Sequence, residues 1–120
     1  MNIGYWAKLF TGLKNRIRLK IVIIGSTNEK RNVDSILSIV DDSQVKSLCG
    51  KKNLIETIQL MVDSKMILAV DGGMAHLAAS LKKNLVTIFG PTNSHNISPV
   101  DTYGLLISNQ IECSPCYWSD

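Results

Sequence analysis

The sequence predicts an α/β fold of the doubly wound, Rossmann-like class: a parallel sheet covered by helices. Three observations predict it. Short, β-branched apolar runs recur along the chain, amphipathic segments at helical spacing lie between them, and the connections are short. The 120 residues suffice for one domain, and 45% apolar content supports a packed core rather than disorder.

In chain order, Trp6, Leu9, Phe10, Leu13 and Ile17 recur at helical spacing with Lys8, Lys14, Arg16 and Arg18 off the stripe, which predicts a helix over 5–17. The run Lys20-Ile21-Val22-Ile23-Ile24-Gly25 is continuously apolar after its lysine. Such a run suits a strand buried on both faces. Val33, Ile36, Leu37 and Val40 form a second helical stripe, and 45–48 is a short strand candidate. Asn53 precedes Leu54 with Glu56 three residues on, a capping-box pattern that opens a helix running to about Ser64. A buried strand follows at 66–70, then Asp71-Gly72-Gly73 turns into a helix with the stripe Met74, Leu77, Ala78 and Leu81. Residues 85–89 form a strand stopped by Gly90-Pro91, and a last strand falls near 105–107 after a polar loop.

The composition excludes several classes. The net charge of +3 permits an anionic ligand, but no basic run interleaved with aromatics points to nucleic acid. No apolar run approaches the roughly 20 residues that cross a bilayer. Lys8 and Lys14 interrupt the one N-terminal stretch that could resemble a signal peptide. A basic amphipathic helix can touch a membrane surface, while packing on a sheet with solvated charges is the commoner use of such a stripe. Three cysteines, Cys49 apart from Cys113 and Cys116, do not make an extracellular disulfide framework and suit a reducing cytoplasm. One C-x-x-C supplies two of the roughly four ligands that zinc requires, so no metal site is assigned. Cys49, in apolar surroundings, reads as core.

Ligands of open α/β sheets bind beyond the carboxyl ends of the strands, which selects the loops 25–30, 71–76 and 90–96. In the loop 71–76 two glycines lead directly into a helix. Unpaired N–H groups at a helix start receive phosphate, and glycine permits close approach. Asp71 would repel phosphate and is suited to sugar hydroxyls; His76, off the apolar stripe, can donate to a phosphate or sugar oxygen. A plain N-cap at Asp71 with a tight turn is the alternative. Gly25, Ser26 and Glu29 form the first loop, where an acidic residue can hold a ribose diol or simply be a solvated glutamate. Gly90-Pro91-Thr92-Asn93 reads as a rigid turn, and His95 as exposed. Neither a G-x-G-x-x-G nor a P-loop occurs. No catalytic triad or pair of catalytic carboxylates stands out.

The run Asp71-Gly72-Gly73-Met74-Ala75-His76-Leu77-Ala78-Ala79 resembles the D-S/T-G-x-x-H-x-A-A signature of glycosyltransferase family 9, the ADP-heptose:lipopolysaccharide heptosyltransferases. Other segments match in order. Ile24-Gly25-Ser26 with Glu29 is similar to the family's strand and G-S-x-x-E. Leu48-Cys49-Gly50 and Asn53-Leu54-Ile55-Glu56 resemble its L-x-G and S/T-L-x-E, Phe89-Gly90-Pro91-Thr92 its F/Y-G-P-T, and Cys113-Ser114-Pro115-Cys116 its C-x-P-C. Trp6 to Leu13 resembles the helix after its K-x-W-P.

The resemblance implies the GT-B architecture, two Rossmann-like domains across a cleft, with this chain as the C-terminal, nucleotide-sugar-binding one. Glu29 would then hold the ribose, Asp71 the donor sugar, and Gly72, Gly73 and His76 the diphosphate, with Met74 lining the pocket. It implies no metal and no cofactor. The partners would be an ADP-sugar and a lipopolysaccharide core acceptor held by the other domain, which would also supply the base, so this chain by itself would be inactive. The implied setting is the cytoplasm, at the inner face of the inner membrane. Gly72 departs from the usual Ser or Thr and lacks its hydroxyl. The lysine of K-x-W-P, the domain's first strand and its final helices are also expected to be absent. In the order 3-2-1-4-5-6, the strand at 20–25 would be the second and that at 66–70 the fourth, leaving a gap between them. A non-catalytic nucleotide- or anion-binding domain and a fragment of an epimerase-type GT-B protein remain as alternatives.

Overall fold

The computed structural model describes residues 2–18, 20–40, 43–90 and 104–108. They fall into two compact units, Met1–Thr57 and Ile58–Asp120, with the boundary inside a helix.

The first unit begins with α1 (Ile3–Arg16). Asn2 is extended and its Oδ1 accepts the Tyr5 N–H at 3.2 Å, satisfying one of the donors that a helix start leaves unpaired. The helix stops where Ile17 turns extended while still donating its N–H to the Leu13 carbonyl at 2.8 Å. It therefore starts two residues before the expected point and ends one earlier. The stripe faces inward as expected: Ala7 and Phe10 are buried, with Ile3, Trp6 and Leu13 packed beside them. The Trp6 and Phe10 rings lie 5.8 Å apart at 34°.

Next come β1 (Ile21–Ile23), a 3₁₀ turn (Thr27–Glu29), α2 (Lys30–Val40) and β2 (Val45–Ser47). α2 buries Val33, Ile36 and Val40, the stripe read from the sequence. Lys14 Nζ reaches the Val40 carbonyl at 3.4 Å and so satisfies an open acceptor at the end of α2. β1 and β2 pair in parallel with Ile21 opposite Val45. Ile21, Ile23 and Val45 join Phe10, Ile36 and Val40 in one core. Burial on both faces of β1 is not what the structure has: Val22 is 46% exposed. The helices of this unit pack on the Ile21/Ile23 face, and the alternation of a strand puts Val22 on the other.

α3 (Leu54–Asp63) opens with the reciprocal bonds that its sequence predicts: Glu56 N–H to Asn53 Oδ1 at 2.9 Å, and Asn53 N–H to Glu56 Oε2 at 3.0 Å. The second unit continues with β3 (Ile67–Val70), α4 (Gly73–Ser80), β4 (Leu85–Phe89) and β5 (Gly104–Ser108). These strands are parallel, with β4 between β3 and β5. Ala78 and Ala79 of α4 pack with Leu85, Ile67 and Ala69.

The buried face of α4 differs from the expected stripe. Ala75, Ala78 and Ala79 are buried, Leu77 and Leu81 are half-buried, and Met74 is 44% exposed. A one-residue shift rotates a helix face by about 100°. Alanines let the helix backbone come close to the sheet, and the larger residues turn aside. The two sheets, β1-β2 and β3-β4-β5, contain the neighbours that the order 3-2-1-4-5-6 assigns to these strands.

Candidate functional site

Within the first unit, the loop after β1 is tied to the loop after β2. Leu48 N–H donates to the Ile23 carbonyl at 2.8 Å and Gly50 N–H to that of Gly25 at 2.9 Å, so parallel pairing continues past both strands. Gly50 has φ +68°, and a Cβ there would lie 2.8 Å from Thr27 Oγ1. Glycine thus serves both the backbone turn and the close approach. Cys49 is buried and free, with Sγ 3.9 Å from the Ile23 carbonyl, as core packing requires.

Glu29 folds back over this loop. Its Oε2 accepts the Ser26 N–H at 2.7 Å and the Ser26 hydroxyl at 2.9 Å, while its own N–H donates to the Ser26 carbonyl at 3.2 Å. Room for the carboxylate comes from Gly25, where a Cβ would stand 2.8 Å from Oε2. The residue is exposed, yet its carboxylate is held in one place beyond the carboxyl end of β1. Sequence reasoning placed Ser26 in this loop and in the G-S-x-x-E match but did not assign it the restraint of the Glu29 carboxylate. The signal was available: Ser26-Thr27-Asn28-Glu29 has the S-x-x-E spacing of a capping box ahead of α2.

A shallow, open depression along α2 is lined by Thr27, Lys30, Arg31, Asp34, Ser35 and Ser38. Lys30 and Asp34 pair across it at 2.6 Å, both about half exposed, which makes it a solvated helix face.

In the second unit, Asp71 N–H donates to the Ile88 carbonyl at 3.0 Å and extends the β3–β4 ladder by one residue. Asp71 is half-buried, and the N-cap position of α4 falls to the next residue, Gly72. Gly72 has φ 151° and ψ −175°, a backbone region essentially restricted to glycine. Its carbonyl accepts the N–H of Ala75 at 3.1 Å and of His76 at 3.4 Å, the first bonds of the helix. The N–H groups of Gly73 and Met74 precede those bonds and have no acceptor within the helix. No acidic residue occupies the first turn. Among the described residues, a methyl group built on Gly72 or Gly73 would meet nothing within 4 Å. Met74 and His76 are exposed beside it.

Asp71, Gly72, Gly73, Met74 and His76 therefore share one loop and helix turn of the second unit, while Glu29 belongs to the first. Of the third loop only Gly90 is described. Pro91, Thr92, Asn93, His95, Cys113 and Cys116 lie outside the described residues, as do Asp41 and Asp42. Among the described residues, no group of three or more His, Cys, Asp and Glu is arranged to hold a metal ion, and no helix is long and apolar enough to cross a membrane.

Residues 2–119 match the family model described as glycosyltransferase family 9 (heptosyltransferase). Lipopolysaccharide heptosyltransferase 2 of Escherichia coli is 27% identical over 84 residues, 68% of this chain and 24% of that protein. Lipooligosaccharide heptosyltransferase 2 of Campylobacter jejuni is 29% identical over 100 residues, 80% of this chain and 31% of its own length. The chain thus spans about a quarter to a third of such relatives. The solved ADP-heptose lps heptosyltransferase II of E. coli superposes with a TM-score of 0.81 at 23% identity, over 94% of this chain and 35% of that one.

Proposed function

The chain belongs to glycosyltransferase family 9, and on that premise we propose that it is the nucleotide-sugar-binding part of a GT-B enzyme that transfers heptose from ADP-heptose to the lipopolysaccharide inner core. The observation that carries this reading is the start of α4. Two glycines open a helix at the carboxyl end of a parallel strand, leaving the N–H groups of Gly73 and Met74 without an intrahelical acceptor, with room for a Cβ on either glycine among the described residues and no acidic residue in the helix's first turn.

In glycosyl transfer, negative charge grows on the departing diphosphate. Donors already aimed at that charge stabilise the transition state without reorganising. The N–H groups of Gly73 and Met74 supply such donors here, and the exposed His76 adds a further one. Asp71, whose charge is wrong for phosphate, accepts from hydroxyls of the donor sugar, and Met74 supplies an apolar wall. Glu29 accepts from the ribose. The general base and the acceptor platform belong to another domain of the enzyme, which works in the cytoplasm against the inner face of the inner membrane.

Two measurements test the reading. Loss of a hydrogen bond to a charged group costs about 1.5–3 kcal/mol, so Glu29→Ala weakens ADP binding by about ten-fold or more. Unchanged affinity by calorimetry removes the ribose role. Purified chain supplied with ADP-heptose and a core-truncated lipopolysaccharide shows no turnover; transfer by the chain alone refutes the assignment of the base to another domain.

A further inference from the structure

We propose that Ser26 is a positioning residue for nucleotide recognition, holding Oε2 of Glu29 so that a ribose hydroxyl meets Oε1 alone. The inference rests on the reading above that Glu29 faces the ribose. A carboxylate oxygen offers about two lone-pair directions, and on Oε2 both are taken by the N–H and the hydroxyl of Ser26, at 2.7 and 2.9 Å. Neither bond uses Oε1.

The seat is built from three residues. Gly25 leaves the volume into which the carboxylate folds, since its Cβ would stand 2.8 Å from Oε2 and 3.3 Å from Cys49 Sγ. Cys49 is buried and backs the same position. Ser26 supplies two donors from a single residue, one fixed by the backbone and one by the side chain. An exposed glutamate without these contacts samples many rotamers, and a ligand that needs one of them binds more weakly. Here the rotamer is selected before any ligand arrives.

The same two bonds also fit a helix cap, so the test must read something that a cap does not control. That quantity is the preference of the chain for ADP over its dideoxyribose analogue, which lacks both ribose hydroxyls. Because it is a ratio within one variant, any loss of folded fraction cancels. The unaltered chain prefers ADP by about ten-fold or more, the value of a hydrogen bond to a charged acceptor. Ser26→Ala reduces that preference by about three-fold or more, as one of the two bonds to Oε2 is lost. Ser26→Thr, which keeps both donors, restores it. Calorimetric titration of the whole chain supplies each ratio. Ser26→Ala with its preference intact, while Glu29→Ala has lost it, overturns the positioning role and leaves the ribose reading standing. Equal binding of the two nucleotides by the unaltered chain overturns both.

Discussion

Gly72 and Gly73 are adjacent, and among the described residues a methyl group on either meets nothing within 4 Å, yet alanine at the two positions is expected to have opposite consequences. At Gly72 the obstacle is the backbone, because φ 151° with ψ −175° costs a residue with a Cβ about 1–3 kcal/mol. Alanine recovers about 0.4–1 kcal/mol by restricting the unfolded chain, so the net loss is centred on about 1.3 kcal/mol and reaches at most about 2.6 kcal/mol. At Gly73, the first residue of α4, the backbone is helical and only the gain of about 0.4–1 kcal/mol remains. With an unfolding entropy of about 2.1 cal/mol/K per residue, a chain of 120 residues moves about 4 °C in Tm per kcal/mol. Gly72→Ala therefore lowers Tm by about 5 °C, and by at most about 10 °C, while Gly73→Ala raises it by about 2–4 °C. Thermal melts followed by far-ultraviolet circular dichroism read both shifts. Shifts of the same sign refute the argument, because they show that the loop does not hold Gly72 in a glycine-only conformation. Gly72→Ser is expected to lose as much as Gly72→Ala, since the strain lies in the backbone and not in the side chain. A serine hydroxyl at this position requires a different turn from the one this chain has.

Lys82 follows α4 at φ 52°, and Lys82→Gly is expected to stabilise the chain by about 1 kcal/mol in urea titration. Phe10→Ala opens the core of the first unit beside Trp6 and costs about 3 kcal/mol or more, read from Trp6 fluorescence during denaturation. The hydrogen bond from Lys52, followed by that from the Asn53 backbone, holds the Glu56 carboxyl below its ordinary value of 4.5. A depressed carboxylate contributes stability above its unfolded pKa and loses it as pH falls through the lower, folded one. The start of α3 therefore weakens below about pH 4.5, and amide exchange in Glu56→Gln shows a smaller dependence on pH there.

Features governed by near neighbours were legible in the sequence. Asn53 and Glu56 close their capping box across three residues, and Val33, Ile36 and Val40 declare the inner face of α2 by spacing alone. The Asp71–His76 loop was legible as well, because glycines between a strand and a helix leave unpaired donors in any α/β sheet. The strand neighbours followed from the fold class. Ser26 was legible as a loop residue three positions before Glu29, but its two bonds to Oε2 depend on the rotamer that the folded loop gives Glu29.

The sequence by itself determined which segments are helix and strand, because those choices depend on hydrogen bonds and side-chain periods within a few residues. Tertiary structure alone decided which face of α4 goes inward. Met74 and Leu77 look as apolar as a core requires, but the sheet takes Ala78 and Ala79 against it, and Ala75 is buried on the same helix. It also decided that Val22 stays open, that Lys83 Nζ reaches the Val62 carbonyl at 2.8 Å, and that Gly50 presses on Thr27. Each of these contacts joins residues about twenty or more apart, or depends on which face of a strand is covered. Nothing in a local pattern records the distance between two segments before they pack.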